Sequence, residues 1–89
     1  MLTELRGLLG MTQEDVAKRA GNGTLRAYVA QIENGSCALR FKERIEDAAR
    51  GYGLSVVDFE RLCAGEIKPA TAARRSSVVR ILHTQQGGA

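Results

Sequence analysis

The sequence predicts an all-α protein: a bundle of five short helices over residues 1–65, followed by a short basic extension over 66–89. Three observations carry this. Apolar residues recur at helical spacing in successive segments. Those segments are punctuated by glycine stops and by Ser/Thr residues of capping type. The four aromatics, Tyr28, Phe41, Tyr52 and Phe59, leave the core to Leu, Ile, Val and Ala, which suits helices.

Each element has its own signal. Leu2, Leu5 and Leu9 share one face of a first helix, which Gly10 ends. Thr12 is a natural N-cap for a second helix, and Glu14 and Asp15 in its first turn favour the helix dipole. Val16, Ala17 and Ala20 give that helix a narrow face of small residues, and Gly21-Asn22-Gly23 is a strong turn signal. Thr24 is placed to cap a third helix running to about Glu33, with Val29 and Ile32 buried and Asn34-Gly35 as its stop. Phe41, Ile45, Ala48, Ala49 and Tyr52 form the cleanest helical stripe, which Gly53 closes. Ser55 with Asp58 resembles a capping box for a fifth helix, whose Phe59 and Leu62 face inward.

A chain of 89 residues, 44% hydrophobic and 26% charged, is the size and composition of one globular domain. The net charge is +3, a mild bias toward a polyanionic partner. Lys/Arg and Asp/Glu balance over residues 1–65, so the excess sits in 66–89, on Lys68, Arg74, Arg75 and Arg80 against Glu66. Binding of nucleic acid by the first 65 residues therefore needs a basic face rather than a basic surface overall. Cys37 and Cys63 lack metal-ligand spacing and read as reduced cytosolic thiols. No segment has the apolar length of a membrane span, and the start lacks the pattern of a signal peptide, so the expected location is cytoplasmic. Catalysis is not expected. His83 is the only histidine, there is no glycine-rich phosphate loop, and no nucleophile and base have plausible spacing. No cofactor or metal is expected either.

Residues 11–35 are the informative unit. A short helix, a glycine turn and a second short helix make a helix-turn-helix. The small face at Ala17 and Ala20 lets the two helices approach closely. The turn crosses them steeply, so the second helix projects from the body and can enter a major groove. Its exposed residues are expected to be Arg26, Ala27, Ala30, Gln31 and Asn34. Arginine bonds guanine bidentately, glutamine bonds adenine, and alanine leaves room for a thymine methyl. The helix start at Gln13 offers backbone N–H groups to a phosphate, and Tyr28 either packs or grips a phosphate.

The run from Gly10-Met11-Thr12-Gln13-Glu14-Asp15-Val16-Ala17, through Gly21, to Tyr28-Val29-Ala30-Gln31-Ile32-Glu33-Asn34-Gly35 resembles the Cro/C1-type (XRE-like) helix-turn-helix family of phage and bacterial repressors. Arg40-Phe41 and Gly53-Leu54-Ser55 resemble the same family's fourth and fifth helices, so the likeness covers roughly residues 2–65. The resemblance implies that Arg26, Ala27 and Gln31 read bases. It implies phosphate contacts from Gln13, Thr24, Tyr28, Asn34 and Arg40, with Gln13 also bracing the recognition helix. Arg6 and Glu33 match a pair that forms a salt bridge between the first and third helices. There are two departures. The turn over residues 22–25 is about two residues longer than usual, which leaves open whether Thr24, Leu25 or Arg26 points first into the groove. Leu8 stands where a polar residue is more usual.

The expected function is sequence-specific binding of double-stranded DNA by a transcriptional regulator, a repressor acting as a homodimer on a near-palindromic operator. The alternative is an antitoxin-like or adaptor protein whose residues 66–89 dock on a partner protein through Val78, Val79, Ile81 and Leu82. For the extension itself the expectation is a dimerisation helix over about residues 70–82, with a strand pairing across the two-fold as its rival. Pro69 marks the boundary of the bundle, so a chain ending at Lys68 is expected to fold and to dimerise less.

Overall fold

The computed structural model describes residues 1–35 and 42–78. Among them the chain forms six helices: α1 (Leu2–Leu8), α2 (Gln13–Ala20), α3 (Arg26–Glu33), α4 (Lys42–Gly51), α5 (Val56–Cys63) and α6 (Pro69–Arg75). Cys37, Arg40, Phe41 and all of residues 79–89, with Val79, Arg80, Ile81, Leu82 and His83, lie outside the described residues.

Local chemistry sets the starts of two helices. Thr12 Oγ1 accepts the Asp15 N–H at 3.1 Å, and Asp15 Oδ2 accepts the Thr12 N–H at 2.9 Å, a reciprocal capping box. Ser55 Oγ accepts the Asp58 N–H at 3.1 Å and opens α5 with this single cap bond, while the Asp58 carboxylate accepts from Arg75 Nη1 at 2.9 Å rather than completing the expected box. The start of α3 differs from expectation. Its N-cap is Leu25, not Thr24, and no side chain caps it. Thr24 is drawn back into the turn instead, where its backbone N–H and its hydroxyl both donate to Gly21 O, at 3.0 and 2.7 Å.

The core lies where the helices converge. Leu5, Leu9, Val16, Val29, Tyr52, Phe59 and Leu62 are almost wholly buried. The Tyr52 and Phe59 rings stack with centroids 6.1 Å apart. The stripes read from the sequence for the first, second, third and fifth helices face this core. Of the fourth stripe, Ala48, Ala49 and Tyr52 are buried and Ile45 packs beside them.

The five-helix expectation is corrected by α6. Pro69 ends no element, since α5 has already stopped at Cys63; it occupies the first turn of the next helix, where its missing N–H would have no partner anyway. The single helix expected over about residues 70–82 is interrupted: α6 stops at Arg75, Ser76 is extended, with φ −71° and ψ 138°, Ser77 and Val78 are helical again, and residues 79–82 lie outside the described residues. Burial of Ser76 explains the break. Its hydroxyl donates to Tyr52 O at 2.7 Å and accepts the Val78 N–H at 3.1 Å, so the side chain replaces helical backbone pairing. Ser77 N–H adds a bond to Gly53 O at 2.9 Å. α6 packs on α1 and α5 and buries Ala72 and Ala73, while Val78 is buried just beyond it. The core therefore continues past residue 65. Val78 belongs to it, which removes that side chain from the docking anchors considered above.

α2 and α4 pack closely because Gly51 has no side chain. A Cβ there would sit 2.8 Å from Val16 Cγ1 and 2.8 Å from Val16 O. Gly51→Ala improves helix propensity by about 1 kcal/mol, but overpacking against rigid backbone costs about 1–3 kcal/mol. The expected net result is a lower urea midpoint. A raised midpoint would show that the helices can separate without penalty.

Candidate nucleic-acid interface

The turn between α2 and α3 is built from three consecutive residues in the left-handed region: Gly21, Asn22 and Gly23, with φ of 69°, 52° and 74°. Glycine adopts this freely, and asparagine is among the few other residues that tolerate it. The turn is anchored to α4. Asn22 Nδ2 donates to Asp47 Oδ1 at 2.8 Å, and Arg50 Nη1 donates to the same oxygen at 3.0 Å and to Ala20 O at 2.6 Å. The Asp47 carboxylate, 6% exposed as a residue, thus ties the C-terminal end of α2 to α4.

The inner face of α3 is fixed through Glu33. Its side chain is 2% exposed, yet its carboxylate is fully engaged. Arg6 donates from Nε to Oε2 at 2.8 Å and from Nη2 to Oε1 at 3.1 Å. Tyr52 Oη donates to Oε2 at 2.8 Å, while Gln13 Nε2 and Thr3 Oγ1 each donate to Oε1 at 3.2 Å. One carboxylate therefore joins α1, α2, α3 and the end of α4. Burial pushes the Glu33 pKa up, but the hydrogen bonds from Arg6, Tyr52 and Gln13 outweigh it and hold the carboxyl below its ordinary range. Burial, then the bond to Glu33, pushes the Tyr52 phenol well above its usual range, so it remains a donor. The Arg6 pKa is raised by its bond to Glu33.

The outer face of α3 carries the residues expected to read bases. Arg26, Ala27, Gln31 and Asn34 are exposed, and Ala30 is half-buried between them. Asn34 is the C-cap and Gly35, at φ 73°, turns the chain away, as the Asn-Gly pair predicts. Arg26 also lines a shallow depression with Arg6, Thr12, Gln13 and Glu14, at the junction of the two helix starts.

The residues expected on phosphates are placed less uniformly. Gln13 is half-buried, with one amide proton committed to Glu33, so its bracing role is built into the free protein. The Thr24 hydroxyl proton is committed to Gly21 O, and a phosphate contact there requires that bond to break. Tyr28 is half-buried against the core, with the Arg44 guanidinium 5.2 Å from its ring centroid. Arg40 lies outside the described residues.

Sequence reasoning missed Tyr52, Thr3, Asn22, Asp47 and Arg50 as parts of the frame. Tyr52 carried an apolar signal because its ring continues a helical stripe, and the destination of its hydroxyl depends on where α3 lies. Asn22 signalled only a turn, and nothing local pointed to its bond with Asp47, which spans 25 residues.

The match to known proteins agrees with this geometry: the family described as Helix-turn-helix domain matches residues 1–62. The chain belongs to the helix-turn-helix family. This family is associated with XRE-like regulators, which places the likeness read from residues 10–35 on firm ground. No curated protein and no solved structure matches the chain. Membership of the helix-turn-helix family implies DNA binding, and the family is generally non-enzymatic. Among the described residues no helix of this helix-turn-helix protein is long and apolar enough to cross a membrane.

Proposed function

We propose that this helix-turn-helix protein is a transcriptional repressor that binds a near-palindromic operator as a homodimer, with α3 in the major groove. The observation that carries the reading is the division of α3 into two faces. The inner face is locked to the bundle through Glu33. The outer face presents a guanidinium, a methyl and two carboxamides, at Arg26, Ala27, Gln31 and Asn34, on a helix held rigidly by its turn. These are the groups that discriminate base edges. Rigid presentation limits the entropy lost on binding. Arg26, Ala27 and Gln31 read bases, and Gln13, Tyr28, Asn34 and Arg40 contact phosphates. Two copies read half-sites about one helical turn apart, and repression follows from excluding polymerase.

Selection of bound DNA from a random pool tests this, with enrichment of a two-fold symmetric site expected. Enrichment of an asymmetric site would refute the homodimer, and no enrichment would refute the whole reading. On the selected site, Arg26→Ala and Gln31→Ala are each expected to cost about 1–3 kcal/mol and to relax preference at one base position. Unchanged affinity in both variants would place base reading elsewhere.

A further inference from the structure

The leading end of α3 carries a side chain that the folded protein does not use. Leu25 is the N-cap residue, and it is 70% exposed. A lone exposed leucine is ordinary on a protein surface, but this position is not. An N-cap favours Ser, Thr, Asp or Asn, whose oxygens satisfy the free N–H groups of the first turn, and leucine ranks far below them. The helix starts at Thr12 and Ser55 follow that preference, whereas α3, like α6, has neither a side-chain cap nor an acidic residue in its first turn. Leucine here thus forgoes helix stabilisation and leaves an apolar group in water.

The turn also holds Leu25 in place. Its backbone is extended, at φ −100° and ψ 152°, directly after Thr24, which is bonded twice to Gly21 O. The same turn is bonded to α4 through Asn22 and Asp47. Lys18 and Arg26 line a depression with Leu25, alongside Glu14, Ala17 and Thr24. Arg26 and the Lys18–Glu14 ion pair, 3.9 Å between Nζ and Oε1, therefore flank an apolar tip on the end of α3 that leads into DNA. Among groups on the major-groove edge, the apolar one is the thymine C5-methyl.

We infer that Leu25 is a specificity-determining residue that reads a thymine by packing on its C5-methyl group. This rests on the DNA-binding reading above and adds a base and a group to it. The experiment is a chemical double-mutant cycle on the operator selected from a random pool. Each thymine in a half-site is replaced in turn by deoxyuridine, which removes only the methyl. Binding is then measured for the parent protein and for Leu25→Ser. One replacement is expected to weaken the parent about fourfold, the factor for one buried methyl-sized group. Leu25→Ser is expected to bind thymine and deoxyuridine operators equally at that position. Because serine supplies the missing cap, the variant is expected to melt at an equal or higher temperature, so lost discrimination cannot come from unfolding. If no deoxyuridine replacement weakens the parent, or the same one weakens both proteins equally, Leu25 reads no methyl while the DNA-binding reading stands. If the pool yields no enriched site, both fall together.

Discussion

Glu33→Ala is expected to lower the unfolding free energy by about 3–5 kcal/mol, the cost of breaking a buried ion pair by removing one partner. The substitution deletes the acceptor for Arg6, Tyr52, Gln13 and Thr3 at once. Tyr52 suffers most, because its buried hydroxyl loses its carboxylate partner. A domain of this size has about 5–15 kcal/mol in total, so the variant should unfold at markedly lower urea. Arg6→Met removes the cation instead and leaves the carboxylate with neutral donors only, and it too should destabilise the fold before it alters any DNA contact. An unchanged urea midpoint for Glu33→Ala would mean that the four donors find other acceptors at no cost. The same carboxylate sets a pH dependence. Its pKa is lower in the folded than in the unfolded chain, so its contribution is complete above the unfolded carboxylate pKa. That contribution is lost as pH falls through the folded pKa. Acid titration of the melting temperature should therefore show a decline in the parent that is shallower in Glu33→Gln.

A chain ending at Lys68 is expected to lose about 3–5 kcal/mol, from one fully buried valine, two buried alanines and the surfaces they cover. Ala72 and Ala73 on α6, with Val78 beyond it, close the core against α1 and α5. Removing them also strips Tyr52 O of its bond from Ser76 and Gly53 O of its bond from Ser77. The backbone of Tyr52 thus loosens beside the hydroxyl that holds Glu33, and the damage should reach α3. Circular dichroism during urea titration measures this directly. The shortened chain should unfold at lower urea and with a broader transition. A cooperative transition at the parent midpoint would show that α6 and the Ser76–Val78 contacts add nothing to the bundle. The sequence reading expects such a chain still to fold; the burial of Ala72, Ala73 and Val78 adds a loss of stability to that expectation.

The sequence alone determined every feature whose cause is local. Thr12 and Ser55 cap because the oxygen and the amide it serves are three residues apart. Asn34-Gly35 stops α3 because Gly35 must take a left-handed φ. Leu5, Leu9, Val16, Val29, Ile32, Phe59 and Leu62 declared their burial through helical spacing, and the outer face of α3 followed as the remainder of the same period. The tertiary structure decided what depends on two distant segments meeting. Thr24 has the chemistry of a cap, yet Gly21 O lies within reach of its hydroxyl, so α3 starts at Leu25 uncapped. Ser76 has no strong local preference, but a buried carbonyl of Tyr52 recruits its hydroxyl and ends α6 there. The Glu33 carboxylate could be paired with Arg6 only through a family likeness. Its further partners Thr3, Gln13 and Tyr52 come from α1, α2 and the end of α4, and only their packing brings four donors to one pair of oxygens.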